Sequence, residues 1–222
     1  MPTADPSDHD DERRRLRDAY DLVADAYAAH FPSTEPEQPV DVAMIDHFVG
    51  LLGETPDVLD GGCGAGRMAG LLTDRGCRVQ GVDLSPGMVR AARHAHPDIP
   101  IGVASLTALP FGDATFDGLL YWYSTIHVPD RKLPTVSREA RRVLRPDGHL
   151  LVAFQTGHGP REVGEGYRRL GYDVTMVRHH RQPDDLSARF TADGFTEVAR
   201  LDRAPVAGVE RDDQAVLVLR RT

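Results

Sequence analysis

The string VLDGGCGAGR, Val58 to Arg67, runs an apolar segment into four glycines. Glycines there let a backbone turn sharply and bring main-chain N–H groups against a ligand at a helix N-terminus, which is the chemistry of nucleotide-like cofactor binding. Gly64, Gly66 and Ala69 also satisfy the GxGxxA variant of the dinucleotide pattern, so a nicotinamide dinucleotide stays open on this string alone. Asp60 ends the apolar segment with a carboxylate, which suits a sulfonium carrying an α-ammonium group better than a pyrophosphate. Asp83, in GVDLSPGM and 17 residues after Gly66, can accept both hydroxyls of a ribose in either case. His127, in YWYSTIHVPD, follows another apolar run and has the pKa class to take a proton from a hydroxyl or an ammonium, making it the candidate catalytic base.

These residues need elements to hold them. Short apolar runs alternate with helical patterns, which predicts a parallel sheet with crossover helices. The strands are expected at DVLDG (from Asp57), RVQGVD (from Arg78), IGVAS (from Ile101), FDGLLYWY (from Phe116) and HLLVAF (from His149). Helices are expected near 66–75, 87–95 and 131–144. FTEVARL and QAVLVLR then suit an antiparallel hairpin after a helix near 184–192. The fold class is therefore α/β, a doubly wound seven-stranded sheet, mostly parallel, with an antiparallel last strand. Ahead of it, Leu16, Ala19, Tyr20, Val23, Tyr27 and Phe31 recur at spacings of three and four, an N-terminal amphipathic cap helix. The chain divides into an expectedly disordered 1–12, cap helices in 13–52, a cofactor-binding core in 53–156, an irregular lid or substrate insertion in 157–183 and a C-terminal helix and hairpin in 184–222.

The 222 residues and 24.4 kDa suit a single core. With 41% hydrophobic and 27% charged residues and a mean hydropathy of -0.36, the chain is neither wholly disordered nor a membrane bundle. A net charge of -8 opposes a nucleic-acid substrate. Acids and prolines occupy the place of a signal peptide's apolar stretch, so a cytoplasmic protein is expected, as a monomer or homodimer, with no membrane partner. Cys63 and Cys77 are too few for a disulfide framework or a four-ligand zinc site, and no metal is expected. Of the 26 basic residues only Lys132 is lysine.

VLDGGCGAG, GVDLSPGM, ASLTALPFGDATFDGLLYWY and VLRPDGHLLVAF, in this order, resemble the motifs of the Rossmann-like, class I S-adenosylmethionine-dependent methyltransferases of the small-molecule type. The resemblance runs over Tyr20 to Thr222 and is strongest from Asp57 to Phe154. It implies transfer of a methyl group from S-adenosyl-L-methionine to an N or O nucleophile on a small-molecule acceptor, leaving S-adenosyl-L-homocysteine. It also implies that Gly62, Gly64 and Gly66 line the methionine and ribose moieties, with Asp60, Cys63 and Arg67 in the same turn at the cofactor. Asp83 would take the ribose hydroxyls, Leu84 and Met88 would flank the adenine, and Ser105 and Leu106 would meet its edge. Tyr121 with Trp122 would close the pocket behind the sulfonium, and Tyr20 and Tyr27 of the cap helix would cover it. His30, Trp122, His127, His158 and His179 are the acceptor-side candidates. The adjacent His179 and His180 point opposite ways on an extended segment and do not make a metal pair.

The chain departs from the family's pattern twice. Ser105 stands where an aspartate commonly contacts the adenine amine, so adenine recognition leans on the Leu106 backbone and apolar walls. Gly62 stands where a larger apolar residue is usual. Two other readings remain at this stage: an NAD(P)-binding oxidoreductase and a non-catalytic S-adenosylmethionine-binding sensor. The first lacks a Tyr-x-x-x-Lys proton donor, because no tyrosine stands at position 128 before Lys132.

Overall fold

A computed structural model describes residues 6–35 and 37–222. Its centre is a seven-stranded sheet of β1 (Asp57–Gly61), β2 (Arg78–Asp83), β3 (Ile101–Val103), β4 (Phe116–Trp122), β5 (Leu144–Gln155), β8 (Phe195–Arg203) and β9 (Gln214–Arg221), in the order β3-β2-β1-β4-β5-β9-β8. The first five strands pair in parallel, and β9 enters antiparallel between β5 and β8. The strand order reverses beside β1, so the crevice at the carboxyl ends of β1 and β4 is the expected ligand position in such a sheet.

Alternation along the strands gives the sheet two apolar faces. Leu59, Leu119, Tyr121, Leu150 and Val152 face α5 (Leu133–Val143) and α7 (Pro183–Thr191). Val58, Leu120, Trp122, Leu151 and Ala153 face α2 (Pro39–Gly50), α3 (Arg67–Asp74) and α4 (Pro86–Ala95). No helix of the described residues is long and apolar enough to cross a membrane.

The N-terminal helix α1 (Pro6–His30) begins earlier than the apolar periodicity predicts, so the expected disorder of 1–12 does not hold over 6–12. Residues 1–5 lie outside the described residues. Proline in the first turn and the acids that follow it suit a helix start and its dipole, signals independent of an apolar face. The 157–183 segment is also more regular than expected. It forms a hairpin of β6 (Gly159–Glu162) and β7 (Val177–His180), with α6 (Glu165–Arg169) between them. Every residue of β6 is exposed, so no polar–apolar alternation marks the strand.

This hairpin and α1 meet above the carboxyl edge of the sheet. Ala19 and Val23 pack with Val174 and Met176, flanked by Tyr20, Val163, Tyr167 and Tyr172. On its other side α1 docks on α4. The Asp21 carboxylate accepts from Ser85 Oγ at 2.5 Å and from the Gly87 N–H at 2.7 Å, while Ser85 Oγ caps α4 by accepting from the Met88 N–H. A Cβ at Gly87 would stand 3.1 Å from the Asp21 backbone oxygen and from Ala24 Cβ. The close approach of α1 leaves a Cβ there only a tight fit.

Candidate active site

The turn after β1 places Gly62, Gly64 and Gly66 at φ 75°, 53° and 88°, the left-handed region glycine adopts without strain. A Cβ on Gly62 would fall 2.3 Å from Ser124 Cβ, which explains why this chain has no larger residue there. The turn is tied to β2 because the Gly62 and Cys63 N–H groups donate to Val82 O at 2.7 and 2.9 Å. Asp83 continues the tie. One of its oxygens accepts from the Gly64 N–H and the other from the Ser85 N–H, each at 2.9 Å. Each oxygen keeps a second lone pair, so the carboxylate remains able to accept two ribose hydroxyls. Burial raises its pKa, opposed by these backbone donors.

A cleft of about 1050 Å³ opens over this turn. Of the sequence-predicted residues, Tyr20, Tyr27, Gly62, Gly64, Arg67, Asp83, Leu84, Met88, Ser105, Leu106, Trp122, His127 and His179 line it. Asp60 and Cys63 line a smaller cavity that shares Tyr27, Gly62, Gly64, Arg67 and Trp122 with the cleft. Four predicted residues lie elsewhere. Gly66 backs onto Ala92 and His96. Tyr121 is fully buried on the α5 and α7 side of the sheet, one position out of phase with Trp122, so the two cannot share a pocket wall. His30 is exposed and packs edge-on against Phe31. His158 is bonded to Gln182 outside the cleft lining.

Asp60 is 1% exposed, and its Oδ2 has no hydrogen-bond partner. Burial, then repulsion from Asp83, pushes its pKa up to about 7. Trp122 Nε1 is likewise buried without an acceptor. An orphaned acceptor and an orphaned donor on one small cavity fit a zwitterionic amino-acid group, whose ammonium and carboxylate complete the two in turn. Arg67 anchors the cover at this end: it pairs with Glu37 and lies 5.7 Å over the Phe31 ring of the segment that follows α1.

At the other end Tyr20 Oη and His127 Nε2 are 2.7 Å apart, and His127 Nδ1 is 2.6 Å from Val177 O. A carbonyl only accepts, so Nδ1 carries the proton and donates to Val177. Burial lowers the His127 pKa to about 4, which leaves the ring neutral with Nε2 as an acceptor. Tyr20 O–H therefore donates to Nε2. Both ring nitrogens are engaged, and no free lone pair remains for His127 to act as a base on a bound acceptor. Sequence reasoning passed over several residues of this end. Tyr123 adopts φ 52° just after β4 and donates from Oη to Gln214 Oε1 at 2.9 Å. Ser124, Thr107 and Lys132 also line the cleft. The acid placed one residue after Tyr20 was the available signal for Asp21.

Residues 58–148 match the sequence model of a methyltransferase domain. A malonyl-[acyl-carrier protein] O-methyltransferase of Erwinia pyrifoliae is 32% identical over 126 residues, 57% of this chain and 47% of that protein. A demethylmenaquinone methyltransferase of Renibacterium salmoninarum is 31% identical over 148 residues, 62% of each. The chain thus spans about half to three-fifths of the length of these relatives. Among solved structures, the 1,6-didemethyltoxoflavin-N1-methyltransferase of Burkholderia thailandensis, with bound 1,6-didemethyltoxoflavin and S-adenosylhomocysteine, superposes with a TM-score of 0.75 at 21% identity. That match covers 100% of this chain and 92% of the other. Fold, glycine turn and matched segment point to one class: residues 58–148 are similar to the Rossmann-like, class I S-adenosylmethionine-dependent methyltransferase domain. The cofactor of that class is S-adenosyl-L-methionine.

Proposed function

We propose that the chain transfers a methyl group from S-adenosylmethionine to an oxygen or nitrogen atom of a small-molecule acceptor. One arrangement carries the reading: in the cleft that adjoins the unpartnered Oδ2 of Asp60, Tyr20 has its hydroxyl proton committed to His127. Asp60 and Trp122 would hold the amino-acid end of the cofactor, the Gly62–Gly64 backbone and Asp83 its ribose, and Leu84, Met88, Ser105 and Leu106 its adenine. Bound there, the cofactor supplies an electrophilic methyl on a sulfonium.

Tyr20 Oη then presents only lone pairs to the cleft, so its partner must be a donor. An acceptor O–H or N–H that donates to Tyr20 is held by its own proton while the lone pair of the same atom stays available for in-line attack. The new bond to the methyl carbon forms as the sulfonium C–S bond breaks, and the proton of the methylated atom is released to water with the products. The displacement itself can be driven by alignment and water exclusion. His127 is in this reading a positioning residue: it fixes the Tyr20 hydroxyl and ties α1, the turn at 125–127 and β7 together. Water exclusion falls to α1 and the 157–183 hairpin, which together form the lid.

Methyl-tritiated S-adenosylmethionine incubated with pools of small phenols, amines and carboxylic acids should label an oxygen or nitrogen product. Tyr20→Phe should lower kcat about ten- to hundredfold and leave cofactor affinity within about twofold. A carbon-methylated product, or full turnover by Tyr20→Phe, would overturn this reading. Cofactor binding with no transfer to any pool would favour a sensor.

A further inference from the structure

The cleft is longer than the cofactor half just assigned, and its outer end has a distinct charge. Among the described residues, Arg15, Lys132 and Arg211 are the cationic side chains that form no hydrogen bond or ion pair, and Arg15 and Lys132 both line the cleft. Lys132 is half-buried at the end of the 130–132 turn. The acids nearby are mostly engaged: Glu12 pairs with Arg131 and Asp18 with Arg17, while Asp173 is exposed on the rim. In a chain of net charge -8 that pairs nearly all its arginines, an unpaired ammonium on a half-buried lysine that lines a cavity is a group without its counter-ion.

The Glu12–Arg131 pair also sets the scale. It fixes the 130–132 turn beside residue 12 of α1, eight residues before Tyr20, or about 12 Å along a helix axis. The wall between carries Leu16, Val128 and Pro129. A nucleophile-orienting hydroxyl at one end, an apolar waist and unpaired cations at the other describe an elongated amphipathic occupant.

Building on the transferase reading, we propose that the acceptor is an anion: its apolar body lies along Leu16, Val128 and Pro129, and its carboxylate or phosphate is held at the outer end of the cleft by Lys132 and Arg15. His179, half-buried at the same rim and kept neutral by burial, supplies a hydrogen bond and no charge.

The single lysine makes the test direct. Reductive ¹³C-methylation of the full chain gives one lysine resonance, which keeps its charge. Benzoate, phenyl phosphate and the neutral benzamide are titrated at millimolar concentration, with and without S-adenosylhomocysteine. A saturable shift with benzoate, phenyl phosphate or both, and none with benzamide, is expected; which anion shifts it identifies the headgroup. Lys132→Met should weaken that anion about tenfold or more by calorimetry, Lys132→Arg should restore most of the loss, and S-adenosylhomocysteine affinity should stay within about twofold in both. Equal shifts with benzamide, silence toward all three probes, or unchanged anion affinity in Lys132→Met would each overturn the proposal. Failure of S-adenosylhomocysteine to bind would overturn the transferase reading instead, and the titration of the cofactor-free protein would still decide the anchor.

Discussion

Asp60 carries a carboxylate that burial and Asp83 hold protonated up to a pH of about 7, against about 4 for a free carboxyl. The sign of its effect on the empty protein follows: this contribution to stability is full below about 4 and is lost as pH rises through about 7. Asp60→Asn should therefore stabilise the cofactor-free protein above pH 7 by about 1–2 kcal/mol in urea titrations, while weakening S-adenosylhomocysteine about tenfold or more. In the unsubstituted chain that affinity should rise with pH up to about 7 and then level, and in Asp60→Asn the dependence should vanish. An affinity indifferent to the substitution would remove Asp60 from the site. Much of this chemistry was legible as sequence, because a glycine turn between an acid and a helix admits few uses. Tyr121 lies away from the cleft, and a string such as LLYWY does not show which of two adjacent aromatics faces it; the strand's alternation decides it. Tyr123 owes its place to a left-handed backbone that no residue type announces.

At the level of elements, the sheet and its crossover helices followed from periodicity, since each buries a continuous apolar face. The 157–183 hairpin did not, because its strands rest on polar contacts. Arg181 donates to Thr125 O at 3.1 Å and to Asp130 at 2.8 Å, and Arg168 clasps Glu162. The cap helix is intermediate: its face was readable, its anchor Asp21 was not. Losing that anchor unsatisfies the α4 N-terminus, so Asp21→Ala should cost about 1–2 kcal/mol locally. Hydrogen exchange in residues 13–31 should speed up in the empty variant and slow again when S-adenosylhomocysteine is added. Exchange that ignores both the substitution and the cofactor would make α1 fixed packing and not a lid.

Across the whole molecule, most ion pairs have an exposed partner, and a smaller set is sequestered. Asp41 and Glu210 clamp Arg203 and so join α2, β8 and the connection to β9. Asp57, Glu139, Glu197 and Glu210 are held below the ordinary carboxyl range chiefly by their arginine partners. Their contribution is present above about 4 and is lost as pH falls through their lowered values. His127, neutral in the fold down to about 4, adds a loss that begins near 6.5, where the unfolded ring protonates. Asp60 gains stability over the same interval, so the His127 loss is read against His127→Gln: as pH falls from about 6.5 to about 4 the urea midpoint of the unsubstituted chain should drop relative to that variant, and below about 4 both should fall. A difference between the two midpoints that stays constant from about 6.5 to 4 would contradict the burial of His127. The same assembly of sheet, turn and cap exists, on this account, to bind one cofactor, and calorimetry tests that most directly. S-adenosylhomocysteine should bind at one site per chain, and Asp83→Ala should weaken it by about 1.5–3 kcal/mol, the loss of a charged hydrogen-bonding partner. NADH should give no heat. Micromolar binding of NADH with no response to S-adenosylhomocysteine would contradict the account.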